Sequence, residues 1–388
     1  METENRETSV VNDEPPGCSS ASESWKWQLI NSVKDLDVLS DLFYFDAGKK
    51  QSLERVIKEY PFRVTPYYLS LINKTDPDDP IRRQAIPSPE EENFYIEVQN
   101  DPLGEEKDTV MPGLVHRYPD RVLVTLTNMC PMLCRHCTRK REWQGGNWVR
   151  SPKELEEIYK YIFLHEEITD VILSGGDPLI LSTEKLEGIL ASLRSIKHIE
   201  IVRIGTRCPV VLPQRIDESL VAVLKKYRPI WVNTHFNHPN EITAESSKAC
   251  DRLLLNGIQV NNQTVLLKGV NDDPKTMIRL CKGLLKIGVR PYYLFHCDPV
   301  SGAGHFRTSI DKGLSIIKEM RGFISGLAVP TYVVDGLEGQ GKVPLQPDNL
   351  VSKEKDYFTL RGYKGEAFNY YNIEEKEHEN RHNLQSKR

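Results

Sequence analysis

Three cysteines carry the most specific chemistry written in this chain. They sit in Thr127-Asn128-Met129-Cys130-Pro131-Met132-Leu133-Cys134-Arg135-His136-Cys137-Thr138-Arg139, at C-x3-C-x2-C spacing. Thiolates are the usual protein ligands of iron–sulfur clusters, and three on one short loop can hold three irons of a cubane and leave the fourth open. A structural zinc loop is the competing reading. Zinc sites normally take four protein ligands, often as two C-x2-C pairs, and no second pair is present. The spacing therefore favours a cluster. A second motif, Ser174-Gly175-Gly176-Asp177-Pro178, places glycines where a backbone can approach a ligand closely, although an ordinary turn reads the same way. A third is Lys342, in the glycine-rich run Asp335-Gly336-Leu337-Glu338-Gly339-Gln340-Gly341-Lys342. Lysine forms Schiff bases with carbonyl cofactors such as pyridoxal phosphate. Taken alone, a lysine is more often solvated surface.

These residues need a scaffold, and the sequence supplies a repeating one. Short apolar runs recur at 122–127, 170–173, 199–204, 230–234, 258–265, 289–295 and 331–334, with helical patterns between them. Alternating strand and helix argues for right-handed βαβ units on a parallel sheet. Ser151-Pro152-Lys153-Glu154 reads as a capping box opening a helix, and Gly257 and Gly288 read as helix C-terminal caps. Six or seven such units predict a partial or full (βα) barrel; a doubly wound open sheet is the alternative. In barrels the chemistry gathers on loops after the strands. The cysteine loop, the Gly175-Gly176 turn, Thr206-Arg207, His235, Gln263, Asp298 and Asp335 all fall late in a strand or just past one.

The rest of the chain is divided accordingly. Residues 1–22 are rich in Glu, Ser, Asn and Pro, a composition that cannot bury enough surface to order itself. Residues 23–110 form a helical N-terminal region, 111–336 the barrel, 337–370 the Lys342 loop and a short C-terminal segment, and 371–388 a charged tail. The 388 residues carry 51 basic and 55 acidic side chains, a net charge of −4. That balance gives no pull toward nucleic acid. No apolar run is long enough for a membrane span, and the N-terminus lacks the basic and apolar regions of a secretory signal. Eight cysteines in this length are not a disulfide scaffold. Cys18, Cys208, Cys250, Cys281 and Cys297 are read as free thiols in a reducing, cytoplasmic compartment.

Longer stretches then carry a resemblance. The cysteine loop running into Thr138-Arg139-Lys140-Arg141 resembles the lysine 2,3-aminomutase family of radical S-adenosylmethionine (SAM) enzymes. So do His116-Arg117-Tyr118-Pro119-Asp120-Arg121, the run from Gly205 to Arg215, Asn233-Thr234-His235-Phe236-Asn237-His238-Pro239, and Leu266-Leu267-Lys268-Gly269-Val270-Asn271-Asp272. The resemblance implies a [4Fe-4S] cluster on Cys130, Cys134 and Cys137, with SAM on the open iron near Gly175, Gly176, Asp177, His235 and Gln263. It implies pyridoxal phosphate on Lys342, with Arg117 and Arg121 near its phosphate, a sensible partner for guanidinium groups. Arg139 matches the partner of the substrate carboxylate. Asp298 and Asp335 match the two acids that receive the distal ammonium of lysine. A cationic side chain needs anionic partners in a dry pocket, so two acids favour a cationic amino acid.

The implied enzyme is an isomerase that moves the α-amino group of L-lysine to the β-carbon, drawing electrons from a donor such as flavodoxin or ferredoxin. Arginine or another cationic amino acid as substrate is the alternative, as is the shorter relative that makes β-lysine to modify elongation factor P. A non-catalytic iron–sulfur redox sensor is the alternative from another class. One departure stands out. Family members carry a C-terminal cysteine cluster that binds zinc with one further cysteine, but here no Cys follows Cys297 and Asp273 occupies the other position. No structural zinc is expected, and homo-oligomerisation through such a tail is left open.

Overall fold

The computed structural model describes residues 24–93 and 98–373. The tail expected over 1–22, and most of that expected over 371–388, lie outside those residues. Each of the seven apolar runs becomes a strand. They are β3 (Arg121–Thr125), β4 (Asp170–Ser174), β5 (Ile201–Gly205), β6 (Ile230–Thr234), β7 (Gln259–Leu266), β8 (Arg290–His296) and β9 (Thr331–Gly336). Two strands precede them, β1 (Thr109–Met111) and β2 (Leu114–Tyr118), and β10 (Gly341–Leu345) follows. The ten strands lie side by side in chain order. β3 to β9 are parallel. β1 and β2 pair antiparallel onto β3, and β10 pairs antiparallel onto β9.

The expectation of a full barrel is corrected by this topology. β3 and β9 would have to pair to close the ring, but β2 and β10 already occupy their outer edges. The sheet is open, a partial barrel. It is not doubly wound either, because that fold reverses its strand order at a switch point and this sheet does not.

Helices Pro152–Leu164, Thr183–Ser195, Glu218–Lys226, Ala244–Leu255, Pro274–Lys286 and Ile310–Met320 connect the parallel strands. With sequential strands and right-handed crossovers they cover one face of the sheet. The first begins at the expected capping box, with Ser151 and Glu154 each bonding the other's backbone. Gly257 and Gly288 adopt φ of +73° and +72° just past two of these helices, a conformation that disfavours a Cβ. Alternation then decides what reaches the opposite face. Val122 and Val124, Val171 and Leu173, and Val202 and Ile204 are buried in the main core. Their neighbours Arg121 and Leu123, Ile172 and Ser174, and Arg203 and Gly205 line a cavity. The period of two thus turns most alternate residues of these strands toward the core and their neighbours toward the cavity.

The N-terminal part is helical, with helices Trp25–Ile30, Leu36–Phe43, Ala47–Glu59, Pro66–Ser70 and Pro80–Ala85. Leu39, Leu53, Tyr68 and Ile81 join the same core as the barrel strands. Beyond β10 the chain forms a separate antiparallel sheet of β11 (Leu350–Lys353), β12 (Tyr357–Arg361) and β13 (Ala367–Tyr371). The sequence pattern did not reveal it. Asp273 caps the helix Pro274–Lys286, its carboxylate accepting from Thr276 N at 2.9 Å.

Candidate active site

The cysteine loop leaves β3 and is held from both sides. On one side Arg135, fully buried, donates to both carboxylate oxygens of Glu91 at 2.9 and 2.6 Å and to the carbonyls of Pro61 and Tyr60. Lys140 reaches the same carboxylate at 2.8 Å. Buried charges must be paired and hydrogen-bonded to be tolerated, so this cluster fixes the loop against the N-terminal helices. On the other side lies the glycine turn. Gly176 N donates to Thr127 O and Asp177 N to Met129 O. A Cβ on Gly175 would strike Thr127 O and one on Gly176 would strike Met129 O. The two glycines are thus required by backbone-on-backbone contact with the cysteine loop. Asp177 is buried and fully engaged, accepting from Leu179 N, the Thr206 hydroxyl and Arg207 N at 2.7 to 3.0 Å. It ties the loops after β4 and β5 together.

Positive charge and N–H donors converge on the sulfurs. Arg207 Nη1 donates to Cys134 Sγ at 2.8 Å, and Arg139 N to Cys137 Sγ at 3.4 Å. Arg207 is itself paired with Glu241 at 2.8 Å in a fully buried contact. Burial and then the Arg207 charge bring the His235 pKa down to about 4, against the bond that its Nδ1–H donates to Gln263 O at 2.9 Å. It is a neutral imidazole at physiological pH. Burial pushes the Cys137 thiol up to about 11 and the Cys130 thiol well above its ordinary range.

At the other end of the sheet Lys342 lies on β10 directly opposite Asp335 on β9. Its Nζ donates to Asp335 Oδ1 at 2.8 Å and sits 5.1 Å from the centre of the Phe295 ring. Asp298, just past β8, faces the same space. Burial and then the Asp335 charge raise its pKa to about 7, with Lys342 and Arg307 acting in the opposite direction. Arg117 donates to Asp108 at 2.6 Å and to Leu103 O. Arg121 stacks over Tyr118 at 4.0 Å and reaches Asp120. Arg139 holds Glu105 through Nε and Nη2 at 2.5 to 3.2 Å.

One cavity of about 710 Å³ gathers them all: Cys130, Cys134, Cys137, Arg117, Arg121, Arg139, Gly175, Gly176, Asp177, His235, Gln263, Asp298, Asp335 and Lys342. Side chains that the sequence did not single out line it too. They are Glu105, the Asp170–Arg203 pair at 2.6 Å, Tyr292 and Tyr293. Asp170 and Arg203 stand out in hindsight as charges inside apolar strands, on the non-core alternation. Glu105 left no such signal, since it lies in an irregular acidic stretch. Among the described residues no three His, Cys, Asp or Glu side chains converge as ligands of one metal ion.

The family model described as Lysine-2,3-aminomutase matches residues 317–387, and that of the Radical SAM superfamily matches residues 124–281. An L-lysine 2,3-aminomutase of Methanococcus maripaludis is 50% identical, over 89% of this chain and 81% of its own. The chain belongs to the lysine 2,3-aminomutase family. An L-lysine 2,3-aminomutase of Clostridium subterminale is 48% identical over 89% of this chain and 83% of its own. A glutamate 2,3-aminomutase of Clostridioides difficile is 43% identical over 89% and 81%. The family has members of both substrate charges, so membership alone does not set the substrate.

The family uses a [4Fe-4S] cluster, SAM and pyridoxal phosphate, and the residues present fit all three. A cubane binds each thiolate to a different iron, so its ligands share a rim rather than a single point. Cys130, Cys134 and Cys137 all line one cavity from a single short loop. Coordination deprotonates a thiol outright, whatever burial does to the free thiol. Lys342, Arg117 and Arg121 line the same cavity, an amine and two guanidinium groups that suit a phosphorylated aldehyde.

Proposed function

We propose that this chain is an L-lysine 2,3-aminomutase, an isomerase producing β-lysine. The observation that carries the substrate assignment is the Asp298–Asp335 pair beside Lys342. Lys342 is the cation bonded to Asp335, while burial and then the Asp335 charge raise the Asp298 pKa to about 7, so that a further cation beside it would favour its ionised form. Were Lys342 to hold pyridoxal phosphate, its ammonium would no longer be available to both acids, and the distal ammonium of a lysine substrate would supply the missing positive charge. A substrate ending in a carboxylate would add negative charge beside the two acids, which like-charge repulsion disfavours.

Bound together, the cluster and SAM supply hydrogen-atom abstraction, and pyridoxal phosphate supplies delocalisation of the unpaired electron. The protein's own residues do the rest. Cys130, Cys134 and Cys137 hold the cluster, with Arg207 and the Arg139 amide donating to two of the sulfurs. Gly175 and Gly176 keep the adjoining turn pressed on the cysteine loop, and neutral His235 and Gln263 stand beside it for SAM. Arg117 and Arg121 receive the phosphate. Arg139 receives the α-carboxylate, and the two aspartates anchor the far end. Two charged anchors at opposite ends of lysine fix the α- and β-carbons between the two cofactors, the positioning on which such a transfer depends. The inner face of the sheet supplies a wall that keeps water from the reacting carbons.

The reading also calls for a one-electron donor of the flavodoxin or ferredoxin type, and for a reducing, cytoplasmic setting. Among the described residues no helix is long and apolar enough to cross a membrane. The near-neutral net charge of −4 offers nothing to a nucleic acid. The test is anaerobic turnover with reconstituted cluster, SAM, pyridoxal phosphate and dithionite, with lysine, arginine, ornithine and glutamate offered in parallel. β-Lysine from lysine supports the assignment. β-Glutamate from glutamate, or product from arginine in preference to lysine, overturns the substrate.

A further inference from the structure

The segment between the N-terminal helices and β2 touches three parts of the cavity at once. Glu105 pairs with Arg139, and with Arg141 at 3.0 Å. Asp108 and the carbonyl of Leu103 hold Arg117. Gly104, at φ +61°, has no room for a Cβ because the backbone of Glu338 and Gly339 lies against it, and Lys107 Nζ donates to Glu338 O at 3.1 Å. Residues 101–108 therefore run as a strap across the Arg139 site, the Arg117 site and the loop that precedes Lys342.

The way Glu105 meets Arg139 is selective. A guanidinium offers two edges for a carboxylate, one through Nε and Nη2 and one through Nη1 and Nη2. Glu105 takes the first, from Nε at 2.8 Å and from Nη2 at 2.5 Å. Nη1 donates to Ser174 Oγ at 3.3 Å and Gly175 O at 3.2 Å, both longer than the two closest bonds to Glu105. Arg139 lines the cavity, where a substrate anion could exchange for these neutral acceptors on the terminal edge. Both partners are nearly buried, with side-chain exposures of 17% and 10%. Burial would raise the Glu105 pKa, but Arg139 and then Arg141 outweigh it and hold it down to about 2. The carboxylate is thus ionised at any working pH.

We infer that Glu105 is a positioning residue for substrate recognition: it clamps the side edge of Arg139 so that the terminal edge is presented, already oriented, to the α-carboxylate of the amino acid. The inference rests on Arg139 being the carboxylate site. Pre-orientation matters because a free arginine loses considerable rotamer entropy on binding, whereas a clamped one has already lost it. Glutamine at the same position keeps the shape but turns an NH2 group toward one of the guanidinium donors. The clamp is then broken with little change in volume.

The experiment uses the full chain loaded with cluster and pyridoxal phosphate. Binding of L-lysine and of L-lysinamide, whose carboxylate is replaced by a carboxamide, is measured by calorimetry for wild type, Glu105→Gln and Glu105→Asp. Wild type is expected to prefer lysine, which tests the Arg139 assignment by itself. Equal affinities there would remove that assignment and this inference with it, while wild-type turnover of lysine would still stand. Given the preference, Glu105→Gln is expected to weaken lysine binding about tenfold or more and leave lysinamide binding unchanged. Glu105→Asp is expected to recover part of the loss. Three results would overturn the inference. These are an unchanged lysine affinity in Glu105→Gln, an equal loss for both ligands, or loss of iron or pyridoxal phosphate from both variants.

Discussion

Replacing Asp298 by asparagine should do two opposite things, and the sign of each follows from one carboxyl group. Its pKa stands at about 7 against an ordinary 3.8. That rise corresponds to about 4 kcal/mol for ionising it there, an upper figure because the group retains some contact with solvent. Between these two values the folded chain holds a proton that the unfolded chain has released. Stability of the unliganded protein therefore falls as pH rises from about 4 to about 7. An asparagine side chain carries no charge at this position and escapes the penalty. Asp298→Asn should unfold at a higher temperature than wild type at about pH 8, and the difference should vanish near pH 4. Lysine binding should respond in the other direction. A hydrogen bond to a charged group contributes about 1.5–3 kcal/mol, so the substitution should raise the KM for lysine about 10- to 150-fold.

The pH dependence separates this from a simple steric effect. Below about pH 7 lysine must expel the proton from Asp298, so wild-type KM should rise by about tenfold for each unit of further acidification. The asparagine variant should lack that slope. The assay is initial-rate turnover of L-lysine in loaded, anaerobic enzyme between about pH 6 and about pH 8, paired with thermal unfolding of cofactor-free protein. Equal KM values for the two proteins, or the same slope in both, would refute the assignment of Asp298 to the distal ammonium.

Other substitutions test the remaining walls of the site. Lys342→Ala should abolish turnover and bound pyridoxal phosphate absorbance while iron content is kept; turnover with cofactor still bound would remove Lys342 from its role. Gly176→Ala places a methyl group against the Met129 carbonyl, and iron incorporation measured after reconstitution should fall sharply. Glu241→Ala leaves the buried Arg207 guanidinium uncompensated, and chemical denaturation should show a loss of about 3–5 kcal/mol.

Much of this protein could be read along the chain. Seven apolar runs bounded by caps and glycines led to seven parallel strands because their signals are local: alternation, a capping box at Ser151, positive φ at Gly257 and Gly288. The three cysteines were legible for the same reason, since their spacing on one loop is itself the ligand geometry. Closure of the barrel was not legible. Whether β3 meets β9 depends on β2 and β10 reaching those edges first, and β2 and β10 carry no mark of that pairing in their own residues. The small β11–β13 sheet was missed because its strands alternate weakly and stay exposed.

The site divides in the same way. The sequence by itself determined which side chains could do chemistry, and each of them faces one cavity because the strand ends that carry them point the same way. Only the tertiary structure decided how their charges balance. Asp335 and Lys342 are paired by the antiparallel turn back from β9 to β10, and Asp298 joins them across the sheet. Arg139 is oriented by Glu105, 34 residues away in the chain. Such pairings are set by distance through space in a region shielded from water. No periodicity or composition encodes that distance, because the energy of a buried charge depends on everything packed around it.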